Sequence, residues 1–234
     1  MVSVGNAVKS FLELFFPQTC SCCGNTLVGE EGGLCLYCQL HLPETDFACR
    51  KNNAIEHRMA GRVPFVAAMS LLVFVQGGIT QQLIHNIKYR GGRRLAYVMG
   101  HRMGKAIAFS GRFGQVDALV PVPLHPRKER RRGYNQSLLL CEGLSDVLKC
   151  PIEARSLVRT KNTATQTSMS REERAENMCN VFSLNRAERL EGRHILLVDD
   201  VMTTGATISS CWDALKEVKG IRISIATLAI SGED

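Results

Sequence analysis

The chain has 234 residues, of which 45% are hydrophobic and 22% are charged, and its formal net charge is +7. This composition is typical of a folded protein with one ordinary α/β domain and a small accessory module, and it argues against intrinsic disorder. No stretch approaches the roughly 18–20 apolar residues that cross a bilayer, and residues 1–20 lack the cleavage pattern of a secretion signal. We therefore expect a cytoplasmic protein without membrane insertion, and the basic balance predicts an anionic partner.

The first module predicted along the chain, residues 1–45, is rich in cysteine. Six of the ten cysteines lie before residue 50, and four of them form two C-x2-C knuckles that stand eleven residues apart. Four thiolates at this spacing can surround Zn2+ tetrahedrally, and the metal replaces the hydrophobic core that so short a module lacks. Cys22 in place of one knuckle cysteine, and His41 as a ligand, are the alternatives. The predicted structural zinc ligands are Cys20, Cys23, Cys35 and Cys38.

The remainder of the chain predicts an α/β domain over residues 63–234, joined to the first module by a linker. Residues 46–62 are largely polar and show no periodicity, which is typical of a linker. From residue 63 onward, apolar runs alternate with helical patterns, which predicts βαβ units and a mostly parallel sheet. Strands are expected at 70–75, 118–122, 194–198 and 221–230, and helices at 79–89, 95–109, 135–148 and 207–218, with Gly100 and Gly104 as close-packing points.

A candidate phosphate site follows the predicted strand 194–198. The strand runs straight into two acids, and a turn of small and hydroxyl residues then leads into a helix. The first turn of a helix offers free N–H groups and partial positive charge, which suit a phosphate. Two carboxylates repel phosphate, so binding the vicinal hydroxyls of a ribose is their economical role; a capping threonine beside surface acids is the plainer alternative. The predicted site comprises Asp199, Asp200, Val201, Met202, Thr203, Thr204, Gly205, Ala206 and Thr207.

A second stretch, residues 120–136, carries cations toward the same chemistry. The strand ends at Pro-Val-Pro, a rigid loop is expected, and five basic residues occupy the six positions 127–132 before a helix. Cations and backbone N–H groups stabilise negative charge that develops on a phosphate group, and Mg2+ serves the same purpose. A solvated basic loop is one alternative. Single-stranded DNA is another, although few aromatic residues stand among these cations for base stacking.

These motifs resemble two known groups of proteins. The string D-D-V-M-T-T-G-A-T resembles the loop of type I phosphoribosyltransferases that binds phosphoribosyl pyrophosphate (PRPP). The pattern P-V-P-L-H-P-R…R-R-G-Y-N-Q resembles the ComF family, competence-associated proteins with a phosphoribosyltransferase domain. The resemblance runs from Cys20 to about Leu228. It implies a type I phosphoribosyltransferase fold, with a mostly parallel twisted sheet flanked by helices and an N-terminal zinc knuckle.

The resemblance also implies roles for particular residues. The acidic pair would hold the ribose hydroxyls, and the loop that follows would hold the 5-phosphate. Family members that act on purine bases can carry, at the place of Thr203, an Asp that acts as a general base. The absence of that Asp argues against a purine-base substrate. Residues 159–177 would form a hood that closes over PRPP and excludes water. Pyrophosphate and hood contacts are implied for Lys88, Val122, Pro123, Leu124, His125, Arg127, Arg132, Arg159, Thr165, Gln166, Arg171 and Arg174.

Three functions remain in competition at this point. The first is a transferase in which an acceptor displaces pyrophosphate from C1 of PRPP–Mg2+. The sequence does not identify the acceptor or the oligomeric state. The second is a PRPP-binding regulator without turnover. The third is a nucleic-acid-binding zinc protein. The family resemblance links all three to natural transformation, with single-stranded DNA and competence proteins as further candidate partners.

Overall fold

The centre of the protein is a four-stranded parallel sheet, seen in a computed structural model that describes residues 18–27, 32–160 and 181–232. Its strands are β1 (Ala68–Val73), β2 (Ala118–Pro121), β5 (His194–Met202) and β6 (Arg222–Ile230), and they lie in the order β1-β6-β5-β2. β6 is buried from its second residue to its last, because helices cover both faces of a parallel sheet. The predicted α/β class with a parallel sheet is therefore confirmed.

Seven α-helices are seen within the described ranges, and none of them is both long and apolar enough to cross a membrane. The helices predicted at 79–89, 95–109, 135–148 and 207–218 are observed at Ile79–Tyr89, Arg93–Ser110, Gln136–Leu148 and Ala206–Leu215. A small antiparallel ribbon pairs β3 (Leu157–Arg159) with β4 (Phe182–Leu184), and a 3-10 turn follows at Ala187–Arg189. The helices are α1 (Leu36–Leu40), α2 (Ala54–Met59), α3 (Ile79–Tyr89), α4 (Arg93–Ser110), α5 (Pro126–Arg132), α6 (Gln136–Leu148) and α7 (Ala206–Leu215).

Residues 46–62, where a linker was expected, form α2 and part of the core. Ile55 and Met59 are completely buried. The Asn53 side chain accepts the N–H groups at the start of α2 and donates to the Ala68 carbonyl at 2.8 Å, which ties the helix to β1. Glu56 forms a 2.5 Å ion pair with Arg112. The sequence of this stretch resembles a linker because its polar residues have structural roles: Asn53 caps the helix and Glu56 pairs with Arg112. These polar residues interrupt the apolar periodicity by which a helix is recognised.

Helices α4 and α6 approach each other closely through glycine. A Cβ atom at Gly100 would lie 2.1 Å from the Leu140 carbonyl oxygen, and one at Gly143 would lie 2.1 Å from the Tyr97 carbonyl oxygen. Both obstacles are backbone atoms, which cannot rotate away as a side chain can. The expected close-packing role of Gly100 is thus confirmed, and this contact fixes α6 over the sheet beside β5.

We predict that Gly100→Ala destabilises the protein although alanine is the better helix former by about 1 kcal/mol. The added methyl group forces two helices apart, and overpacking of this kind costs about 1–3 kcal/mol. Urea unfolding measures the change. Lys105→Ala, on the exposed face of the same helix, is the control and should stay within about 0.5 kcal/mol of the parent. Equal stability of the Gly100 variant and the parent would contradict the packing argument.

Candidate functional site

The turn between β5 and α7 forms a small cup at the C-terminal edge of the sheet. Gly205 caps α7 in the left-handed region, with a φ of +78° that favours glycine. A Cβ atom there would come within 2.6 Å of the Met59 sulfur, so the turn needs glycine for space as well. The cup has a volume of about 70 Å3. It is lined by Asp199, Val201, Met202, Thr203, Thr204, Gly205, Ala206, Thr207 and Ile208.

The two acids make different contacts. Asp199 lines the cup and accepts hydrogen bonds from the Ser137 hydroxyl at 3.2 Å and from the Asp200 N–H group at 2.8 Å. Asp200 forms an ion pair with Lys88, with 3.1 Å between Nζ and Oδ2. Burial raises the pKa of Asp199 to about 7, and the charge of Asp200 adds to the rise. Asp199 therefore holds a proton more readily than an ordinary aspartate does, while Asp200 is held by a cation.

The R-R-G-Y-N-Q segment, residues 131–136, joins three elements around this acidic pair. Asn135 donates to the Val122 carbonyl at 3.1 Å and accepts the Ser137 N–H group at 3.0 Å, so it links the end of β2 to the start of α6. The Tyr134 hydroxyl donates to the Ile87 carbonyl near the end of α3 at 2.5 Å. Sequence reasoning assigned this segment to pyrophosphate binding, and the structure gives much of it a scaffolding role. Sequence reasoning also missed Ser137, whose hydroxyl donates to the Asp199 carboxylate.

Arg132 joins the same network from α5. Its guanidinium donates to Gln136 at 2.9 Å and lies 5.1 Å from the centre of the Tyr89 ring. The run of basic residues expected in a rigid loop is thus a helix, with Pro126 in its first turn and no buried residue. The His125 side chain caps this helix by accepting the Arg127 N–H group at 3.2 Å. A helix here exposes its cations on a fixed scaffold.

The predicted pyrophosphate loop, residues 122–125, leaves β2 directly beside β5. The Val122 N–H group donates to the Val198 carbonyl at 2.9 Å, which brings the loop next to the acidic pair. Partial burial and the charges of Arg127 and Arg159 lower the pKa of His125, which favours the neutral ring that accepts the capping bond. Arg159 comes from β3 and stacks over Phe182 at 5.3 Å.

The structure therefore gathers most of the predicted residues at one edge of the sheet. Lys88, Arg132 and Arg159 come from three different elements to join the loops after β2 and β5. Four further predicted hood residues lie outside the described residues. They are Thr165, Gln166, Arg171 and Arg174.

A separate cluster of four cysteines has the geometry of a metal centre. The sulfur atoms of Cys20, Cys23, Cys35 and Cys38 lie within 4.8 Å of one another. Tetrahedral Zn2+ with bonds of about 2.3 Å places its sulfur ligands about 3.8 Å apart. The Cys23 and Cys35 sulfur atoms are 3.6 Å apart, so the cluster fits this ion.

The backbone around the cluster favours the thiolate form of Cys20. Burial opposes ionisation of Cys20, yet the backbone N–H groups that face its sulfur outweigh burial and lower its pKa to about 6. The alternative ligands point elsewhere. Burial and the neighbouring cysteines raise the pKa of Cys22 to about 12, and its thiol donates to the Ile79 carbonyl at 3.7 Å. The His41 ring stacks on Tyr37, with 4.0 Å between ring centroids.

The cysteine knuckle packs against α3. The Asn86 side chain donates to the Ser21 carbonyl, and the Cys22 thiol reaches the first residue of the same helix. Leu34 of the knuckle is buried in the common hydrophobic core. One helix therefore contacts the cysteine knuckle at Ile79 and Asn86 and presents Lys88 to the acidic pair.

Comparisons with known proteins agree with this geometry. A family model described as a phosphoribosyl transferase domain matches residues 135–234. DNA utilization protein YhgH of Escherichia coli is 37% identical over 130 residues, which cover 54% of this chain and 56% of that protein. Competence protein ComFC of Bacillus subtilis is 27% identical over 219 residues, which cover 91% of this chain and 83% of that protein. The chain is therefore similar to competence-associated proteins of the ComF type over most of its length.

The protein has the type I phosphoribosyltransferase fold, as the sequence resemblance implied. The match spans about half the length of its Escherichia coli relative. A solved purine phosphoribosyltransferase from Pyrococcus horikoshii is 18% identical and covers 57% of this chain and 75% of its own, with a TM-score of 0.37.

We predict that Cys35→Ser lowers bound zinc well below one equivalent. Loss of one thiolate opens the coordination shell, and a structural site supplies folding energy directly. Metal analysis of the purified protein measures the zinc, and thermal unfolding measures the stability. Cys49→Ser is the control, because Cys49 is exposed and lies outside the cluster. A full zinc equivalent in the Cys35 variant would rule out this ligand set.

Proposed function

We propose that the protein binds PRPP and transfers its 5-phosphoribosyl group to an acceptor. A nucleophile of the acceptor bonds to C1 of the ribose as the C1–O bond to pyrophosphate breaks, and pyrophosphate is released. The observation that carries this proposal is the placement of Asp199 and Asp200 beside the cup, at the end of β5. Ligands of open α/β sheets bind at the C-terminal ends of the strands, where these groups lie. The names of the relatives, DNA utilization and competence proteins, support a link to natural transformation.

The residues of the site divide PRPP between them in this proposal. The cup accepts the 5-phosphate with N–H groups from the start of α7, which have no partner inside the helix. Asp199 and Asp200 accept hydrogen bonds from the ribose hydroxyls. Ser137 and Lys88 orient the two carboxyl groups, with bonds of 3.2 Å and 3.1 Å. The sugar is thereby held at both ends, with C1 facing the loop that follows β2.

Charge develops on the leaving group when the C1–O bond breaks. The bonding electron pair moves onto the pyrophosphate, and fixed cations and N–H groups beside it lower the barrier. Lys88, Arg127 and Arg159 surround this region, together with the loop 122–125. The carboxylates also fit Mg2+, which binds one or two such groups together with phosphate oxygens and neutralises their charge.

The cysteine cluster holds a structural Zn2+ in this proposal. The zinc module (1–45) and the transferase domain (63–234) work as one unit through the contacts of α3. The protein works in the reducing cytoplasm, in keeping with the nine described cysteines, which form no disulfide with one another.

Single-stranded DNA is a second candidate ligand, favoured by the surface of α5. The helix carries Arg127, Arg130 and Arg131 on its exposed side. Tyr89 is 56% exposed and stacks with Arg132, so a base-stacking platform stands beside the cations. The sequence alone suggested few aromatic residues among the cations, and the fold brings this one in from α3.

We predict that Asp199→Asn combined with Asp200→Asn abolishes PRPP binding while the fold survives. Two hydrogen bonds to charged groups are lost, each worth about 1.5–3 kcal/mol, so Kd should rise at least about 100-fold. Calorimetry with PRPP and Mg2+ measures the affinity. Asp213→Asn, an exposed acid paired with Lys216, is the control. Unchanged affinity in the double variant would refute the site.

Turnover is measured on the same proteins by release of labelled pyrophosphate from PRPP in the presence of candidate bases and amines. Release of pyrophosphate by the parent protein, with no release by the Asp199 and Asp200 double variant, supports a transferase. Tight binding without release across the acceptors would replace the transferase with a PRPP-binding regulator.

We predict that Arg130→Gln combined with Arg131→Gln weakens single-stranded DNA binding and flattens its salt dependence. Each lost phosphate contact lowers the slope of log K against log salt by about 0.7 for single strands. Fluorescence anisotropy of a labelled oligonucleotide at several salt concentrations gives the slope. Lys105→Gln on α4 is the matched control, and an unchanged slope in the double arginine variant would exclude α5 as the contact.

A further inference from the structure

Two arginines grip the cup from behind, and both come from the stretch that contains α2. Arg58 donates through Nη1 to the Thr203 carbonyl and to the Ser231 carbonyl at 2.7 Å, and through Nη2 to the Gly232 carbonyl at 2.7 Å. Arg62 donates through Nη1 to the Thr204 carbonyl at 2.6 Å. Two successive carbonyl groups of the turn are therefore bound by guanidinium groups.

The planarity of the peptide bond turns these contacts into a statement about the cup. In a trans peptide unit the C=O group and the following N–H group point in opposite directions. A guanidinium on the Thr203 carbonyl therefore sends the Thr204 N–H group to the other side of the chain. The Arg62 contact does the same for the Gly205 N–H group. Both residues line the cup, so the two N–H groups are turned toward the ligand side.

The position of Arg58 is itself fixed by buried contacts. It extends from α2, whose neighbours Ile55 and Met59 are completely buried and whose first turn is capped by Asn53. Met59 packs directly beneath Gly205. Arg62 follows the helix by one short turn and is exposed apart from its bond to the loop. The guanidinium groups are therefore attached to a capped and well-packed helix or to the residues just after it. Preorganised anion binding requires fixed donors of this kind.

We infer that Arg58 and Arg62 are positioning residues for the 5-phosphate of the ligand. They hold two carbonyl groups away from the cup, orient the Thr204 and Gly205 N–H groups into it, and place two positive charges behind a dianion. The inference rests on the proposed function, because the 5-phosphate lies in the cup only if PRPP binds there. The two arginines act on this phosphate through the turn and do not contact the ligand themselves. It also assigns the specificity for a phosphomonoester to a part of the chain outside the loop motif.

Arg62 offers the cleaner test, because it is exposed and its substitution spares the core. We expect Arg62→Gln to raise the Kd for ribose 5-phosphate about tenfold and the Kd for PRPP by a similar factor, measured by calorimetry. Thermal unfolding and zinc content should match those of the parent. Arg62→Lys restores the charge and should recover part of the affinity. Arg50→Gln, in the same stretch but paired with Asp46, is the matched control and should bind as the parent does.

A second ligand separates positioning from general damage. Inorganic pyrophosphate with Mg2+ occupies the other end of the proposed site, so its Kd should be unchanged in the Arg62 variant. Equal weakening of pyrophosphate and ribose 5-phosphate, or a lowered unfolding temperature with loss of zinc, would assign Arg62 a structural role and overturn the inference. Parent affinity for ribose 5-phosphate in both Arg62→Gln and Arg58→Gln would overturn it as well.

The parent protein tells this failure apart from failure of the proposed function. If the parent binds neither ribose 5-phosphate nor PRPP, the proposed function falls and the inference falls with it. If the parent binds both ligands and the arginine variants bind equally well, the inference alone falls.

Discussion

The passage from β5 into α7 within a few residues is the constraint around which the site is arranged. The chain must reverse direction at Gly205, in the left-handed region, with the Met59 sulfur pressed against the place of a side chain. The Thr203 and Thr204 carbonyl groups of this turn lie on its outer side, next to the α2 region. The outer carbonyl groups need donors, and the arginines of the α2 region supply them. The stretch before β1 is therefore part of the site.

A second set of contacts shows how a recognisable motif can have structural duties. The R-R-G-Y-N-Q segment connects β2, α3 and α6 through Tyr134 and Asn135, and the residue after it holds Asp199. Its sequence pattern was informative because Arg132, Tyr134 and Asn135 each bind a group in another element. Motif and scaffold coincide here, since the acids can be oriented only if three elements meet at the right distance.

Much of the fold could be predicted because α3, α4, α6 and the strands have clear apolar periodicity. The predicted bounds of α3 are those observed, and the acidic pair with its turn was recognised from a strand followed by small residues. The roles of Arg58, Arg62 and Ser137 could not be predicted. Arg58 binds a carbonyl 145 residues away, and backbone carbonyl groups leave no trace in the amino-acid pattern. Helix α2 was missed because its stabilising groups are polar.

Helix α3 has a mechanical consequence for the whole chain. The cysteine knuckle rests on it at Ile79 and Asn86, and Lys88 lies at its other end against Asp200. A helix of eleven residues transmits displacement as a stiff rod of about 16 Å. Under the proposed function, the zinc site and the sugar site therefore share one rigid support, and reciprocal linkage between the two ligands would have to pass through this helix.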